Sequence, residues 1–156
     1  MKKAMKILIP VLIAFLAVNA VWFGWQHVKY GKLSRGMEKN MFGLFAVPRY
    51  FFTDEEGYDY MVKYPDYLSF TGNLSVGMPS TEEDTVFTDA LILWPKFGGG
   101  YTFGLLLYGE NGVESQIYVD RDGNPLSEEH RDIVSRHWEN VEKLLQKADE
   151  KWDLPD

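Results

Sequence analysis

The stretch WPKFGGGYTFGLLLYGENG, residues 94–112, decides between two folds. Three consecutive glycines beside an apolar run belong either to a phosphate-cradling loop or to the turn of a sheet. A dinucleotide fingerprint needs a strand, then G-x-G-x-x-G, then a helix whose N-terminus receives the pyrophosphate. Here Phe103 stands where the third glycine should be, and Gly104 comes one place late. No Gly-Lys-Ser/Thr follows for a Walker loop. What does follow, YTFGLLLY, is continuous and strand-like, so its N–H groups belong to a sheet ladder and not to an anion. The glycines therefore read as a loop between antiparallel strands 85–94 and 101–108, and nucleotide binding is not expected.

The end of the stretch extends the sheet. Asn111-Gly112 is the preferred pair for a two-residue type I′ turn. Centred there, the hairpin pairs Tyr108 with Ser115, Leu106 with Ile117 and Gly104 with Val119. A bare backbone at Gly104 would then admit the apolar stripe of a C-terminal helix. Residues 113–120 alternate, with Val113, Ser115, Ile117 and Val119 on the buried face. After DGNP the period changes. Ser127 is a suitable N-cap, and Ile133, Val134, His137, Val141, Leu144, Leu145, Ala148 and Trp152 recur at helical spacing, predicting one amphipathic helix over 127–152.

Upstream, FGLFAV (42–47) and RYFFT (49–53) read as strands broken by Pro48, and TDEEG (53–57) as a turn. Residues 58–79 mix tyrosines with the breakers Pro65, Gly72, Gly77 and Pro79, and 80–84 read as an acidic loop or a single helical turn capped by Ser80 or Thr81. The expected class is α+β: an antiparallel meander of four to six strands with the C-terminal helix packed on one face.

The N-terminus is of another kind. Residues 7–25, ILIPVLIAFLAVNAVWFGW, carry no charge. At about 1.5 Å per residue this helix measures about 28 Å, close to the hydrocarbon thickness of a bilayer. Lys2, Lys3 and Lys6 make 1–6 a basic tail, and Trp22, Trp25 and Tyr30 fall where an interfacial aromatic belt belongs. A signal peptide cleaved after Ala20 is the alternative, but the apolar run continues past that point. Residues 26–41 read as a basic juxtamembrane linker or helix, and 42–156 as an acidic extracytoplasmic domain, since a short basic N-terminus on a first span stays in the cytoplasm. The lipid bilayer is thus the partner of 7–25.

The chain has 16 Lys and Arg against 23 Asp and Glu, net −7, and no cysteine. Residues 1–41 hold seven of the basic residues and one of the acidic, +6, which leaves the rest at −13. Such a domain is repelled by nucleic-acid backbones and attracts basic proteins.

Catalytic and metal signatures are weak. Asp120, Asp122 and Asn124 alternate as in a calcium loop, but the glycine and glutamate spacing of an EF-hand is missing, and a tight turn explains them. His130 and His137 lie seven apart, too far for one zinc ion on one helix, and His137 falls in the apolar stripe of a core histidine. GNLSVG (72–77) misses the nucleophile-elbow spacing by one residue. No cofactor or metal is expected. The most unusual composition is the aromatic, acidic run around Tyr58, Asp59, Tyr60, Tyr64 and Tyr67, which suits a recognition surface, although rings so dense also fill the core faces of a sheet. The leading class is a membrane-anchored, non-enzymatic interaction domain. An immunity or inhibitor protein that neutralises a basic toxin or enzyme, and an envelope hydrolase with unrecognised carboxylates, are the alternatives.

Overall fold

The computed structural model describes residues 2–40, 47–80, 88–109 and 112–155, in two compact units, 1–35 and 36–156.

The first unit is one helix, α1 (Lys2–Leu33). Ile7, Leu12, Phe15, Leu16 and Val18 are all exposed, whereas Trp22, Gln26 and Tyr30 further along the helix are buried. Residues Ile7–Leu33 are long and apolar enough to cross a membrane, about 40 Å at helical rise. The polar Asn19 returns its amide to the Phe15 carbonyl at 2.8 Å, which satisfies it within the helix. The helix outruns the 7–25 span by two turns. It ends where Ser34 donates both its N–H and its hydroxyl to the Tyr30 carbonyl, each at 2.9 Å.

The second unit is a two-layer α+β domain. Seven strands, β1 (Glu38–Asn40), β2 (Arg49–Thr53), β3 (Asp59–Lys63), β4 (Asn73–Gly77), β5 (Ala90–Pro95), β6 (Tyr101–Gly109) and β7 (Gly112–Val119), pair antiparallel in chain order. The expected four to six strands become seven for two reasons. The segment expected as linker contributes β1, and 58–79 supplies two strands that meet around the Tyr64–Gly72 connection. Of the strand expected over 42–47, residues 42–46 lie outside the described residues, as do 81–84 of the acidic segment expected over 80–84. Gly72 is required where it stands: a Cβ there would lie 2.1 Å from the Lys63 carbonyl oxygen.

Alternation fixes the buried face. Tyr60, Val76, Leu91, Leu105 and Ile117 form one cross-strand row, and Val62, Leu74, Leu93, Phe103 and Val119 the next. All ten are buried, each aliphatic one contributing about 1.5–3 kcal/mol. The helical stripe covers them. It is not one helix, however: a 3₁₀ turn (Glu128–His130) leads into α2 (Arg131–Arg136), and α3 (Trp138–Trp152) follows a break at His137. Ser127 makes no side-chain cap bond. The sequence period hides the break, because Val134 and Val141 lie seven apart and stay buried on either side of it.

The glycine loop is as expected: Gly99 and Gly100, at φ +103° and +70°, turn the chain from β5 to β6, and the Lys96 N–H reaches the Gly100 carbonyl at 3.0 Å. The β6–β7 register is not. Gly109 pairs with Gly112, so Asn111-Gly112 is not the centre of the turn, and Leu105, not Leu106, faces Ile117. An irregularity at Leu107/Tyr108 absorbs the offset. Gly104 accordingly pairs with Tyr118 on the face away from the helices. Its missing Cβ admits Trp94, whose ring would come within 2.7 Å of one and packs against Tyr118 at 5.8 Å.

Candidate functional site

The five residues expected to form one surface are divided by the fold. Tyr58, Tyr60 and Tyr64 are buried; only Asp59 and Tyr67 are exposed, Tyr67 at 56%. Tyr64 stacks on Tyr50 at 5.1 Å, and Asp59 accepts the Thr53 hydroxyl at 2.6 Å. The rings therefore fill the core face at this end of the sheet.

What stands at that edge is a lysine-bound acidic turn. Asp54 accepts the N–H groups of Glu56 and Tyr58 at 3.0 and 2.9 Å and the Tyr60 hydroxyl at 3.1 Å. Burial would raise its pKa, but these bonds and the Lys147 charge outweigh it and leave the carboxyl below its ordinary value. Burial, reinforced by Asp54, drives Tyr60 far above the ordinary tyrosine value. From α3, Lys147 lies 2.8 Å from Glu56 and 3.7 Å from Asp54 and sits over the Tyr58 ring at 5.0 Å. One turn on, Lys151 lies 3.9 Å from the Phe52 ring centre. Burial lowers the Lys151 pKa against the pull of Asp54. These contacts clamp the helix to β2 and β3.

A second polar group was legible only in part. His137, at the helix break, meets Asp89, whose Oδ2 lies 2.7 Å from His137 Nδ1 and 2.8 Å from Asn140 Nδ2. Asp89 Oδ1 accepts the Tyr108 N–H at 2.9 Å, and its backbone carbonyl accepts the Met78 N–H at 2.9 Å. Histidine as a hydrogen-bonded core residue is thus the arrangement found. Asp89 is the residue the sequence reading passed over. Its signal was there: a carboxylate in alternation with the inward Leu91 and Leu93 has to find buried donors. His130 lies apart, 3.4 Å from Glu129.

The third feature is a cleft of about 500 Å³ under the end of β6 and β7, lined by Lys96, Tyr101, Phe103, Val119, Arg121 and Leu126. The Asp120 turn builds one wall. Asp120 Oδ1 accepts the N–H groups of Asp122 and Asn124 at 3.0 and 2.8 Å, and its Oδ2 lies 3.1 Å from Asn124 Nδ2. The run that imitated a calcium loop is a turn held by its own carboxylate. Gly123, at φ +85°, rests against Leu145 and Val141, where a Cβ would come within 3.0 Å of both. Arg121 projects from this turn over Phe103, 5.9 Å from the ring centre, and pairs with Asp149 at 2.7 Å. Its Nε is enclosed without a hydrogen-bond partner among the described residues, a cost of about 1–3 kcal/mol. Burial pushes the Tyr101 hydroxyl above its ordinary pKa.

On α1, the expected interfacial aromatics cluster. Trp25 meets Tyr30 edge-on at 6.2 Å, Trp22 meets Phe23 at 4.7 Å, and Lys29 lies over the Trp25 ring at 5.1 Å. Trp22 and Tyr30 are buried and Trp25 is half-buried. Among the described residues no cluster of three or more metal-ligating side chains occurs. No protein-family model, curated protein or solved structure matches the chain.

Proposed function

We propose that the chain is a single-pass, membrane-tethered recognition protein. Residues 7–25 cross the bilayer, 1–6 stay in the cytoplasm, and the domain from Gly36 onward stands outside and binds a basic protein. The supporting observation is that charge divides where the two structural units divide. Residues 1–35 hold six Lys and Arg and no acidic residue; 36–156 hold ten basic and 23 acidic residues, net −13. The basic end is drawn to anionic headgroups, and the acidic domain is held off them. Lys147 neutralises Asp54 and Glu56 locally, while Glu55 in the same turn and Asp132 and Glu142 elsewhere on the domain are exposed. The surface offered to a partner is therefore a distributed carboxylate field, not the tyrosine run.

The test is in-cell crosslinking of the full chain, followed by capture in neutral-lipid nanodiscs. The expected partner is a basic protein in stoichiometric amount, released when salt rises from about 0.1 M to 1 M and the Debye length falls from about 10 Å to 3 Å. Recovery of an acidic partner alone, or retention indifferent to salt, would refute a charge-selected partner.

A further inference from the structure

We infer that the cleft beneath β6 and β7 is a binding site for a carboxylate carried on an apolar body. Its volume, about 500 Å³, lies in the range of small-molecule and peptide-end sites. The floor is apolar: Phe103 and Val119 are buried, and Tyr101 packs edge-on against Phe103 at 6.4 Å. The rim is apolar as well. Leu126 is 68% exposed there, a position that water disfavours and an apolar ligand would cover.

The one lining carboxylate, Asp120, is engaged by the N–H groups of its own turn. The two lining cations are Lys96 and Arg121. Arg121 gives its Nη2 to Asp149 and keeps about a third of its side chain exposed (32%); its Nε is enclosed, so the exposed part of the guanidinium is what a ligand meets. A planar guanidinium set over an aromatic floor orients a carboxylate while the body of the ligand lies on the rings. The domain as a whole repels anions, but beyond about 8–10 Å that repulsion is screened at physiological salt, which leaves Lys96 and Arg121 set against Asp120 and Asp149 near the cleft. The same chemistry is carried by a free organic acid and by the C-terminus of a polypeptide ending in an apolar residue.

The experiment is an amide-shift titration of the full chain in zwitterionic nanodiscs. The probes are 3-phenylpropionate and N-acetyl-leucine, each against its neutral amide. Saturable shifts are expected at Gly100, Tyr101, Phe103 and Arg121 with either acid, and binding of the amides should be at least about tenfold weaker. Tighter binding of N-acetyl-leucine assigns the site to chain ends; tighter binding of phenylpropionate assigns it to free acids. Arg121→Gln should abolish binding. Because that change also removes a contact to α3, Leu126→Asp serves as the second variant. It places a like charge at an exposed rim position and should weaken both acids about tenfold while the spectrum of the fold is retained. Amides that bind as tightly as the acids, shifts confined to other surfaces, or no saturation up to about 10 mM would overturn the inference.

Discussion

Replacing Asp89 by alanine removes the acceptor that joins the strand layer to the helix layer at the break between α2 and α3. Three donors lose it at once: the Tyr108 N–H at 2.9 Å, His137 Nδ1 at 2.7 Å and Asn140 Nδ2 at 2.8 Å. With Asp89 ionised, the carboxylate only accepts, so Nδ1 carries the hydrogen. Hydrogen bonds to a charged group are worth about 1.5–3 kcal/mol each, but they are not additive, and the cost of burying the carboxylate is recovered when it is deleted. The balance is a loss of about 3–5 kcal/mol, the range for breaking a buried charged pair. Asp89→Asn separates charge from shape. Its amide oxygen can still accept from Tyr108, but its NH₂ faces two donors, and Asn140 can relieve one of these by turning its amide. A loss of about 1–2 kcal/mol follows. Urea unfolding of the full chain in nanodiscs, followed by far-ultraviolet circular dichroism, measures both values, and hydrogen exchange at the Tyr108 amide locates the effect. A loss under about 1 kcal/mol for Asp89→Ala, with Tyr108 protection unchanged, would refute the account of this node.

Other perturbations have equally definite outcomes. Gly72→Ala places a Cβ 2.1 Å from the Lys63 oxygen and 2.9 Å from Pro65 N, all backbone, and should cost more than about 3 kcal/mol in the same unfolding assay. At acid pH, Asp54 contributes stability that is present above the ordinary carboxyl value, about 4, and lost as pH falls through its lower folded value. Asp54→Asn should therefore flatten the acid limb of a stability–pH curve. Tyr60 behaves oppositely: its stability contribution is intact below about pH 10 and lost as pH rises beyond that, because only the unfolded chain ionises readily there. Tyr60→Phe should shrink the alkaline loss. In crosslinking and capture, a basic partner should be recovered and should dissociate with salt.

The sheet was legible because its strands alternate or run apolar between strong punctuation, as at 101–108 and 113–120. The inward turn of Ile117 and Val119 follows directly from period two, and the stripe Val134, Val141, Leu144, Ala148, Trp152 from period 3.6. Details set by tertiary contacts were less visible. β1 is three exposed residues with no apolar signal, and only its partner strand makes it a strand. The hairpin register depended on an irregularity that the Asn-Gly pair did not announce. At the candidate sites, sequence identified the tyrosine-rich composition but could not divide the rings between core and surface. That division follows from the register of β3, which turns Tyr60 and Val62 inward and Asp59 outward. The Arg121 cleft joins residues from three separate segments, and no local pattern marks it.

The central claim is a tether with the domain outside, and the absence of cysteine from the chain makes it directly measurable. Single cysteines at Lys3 and at the exposed Asp122 are treated with a membrane-impermeant maleimide in intact cells and after lysis, with the mass of the membrane-bound product determined. The account predicts that Asp122→Cys labels in intact cells, that Lys3→Cys labels only after lysis, and that the product retains residues 1–20. Protection of Asp122→Cys until lysis, or a soluble product beginning at Val21, would contradict it.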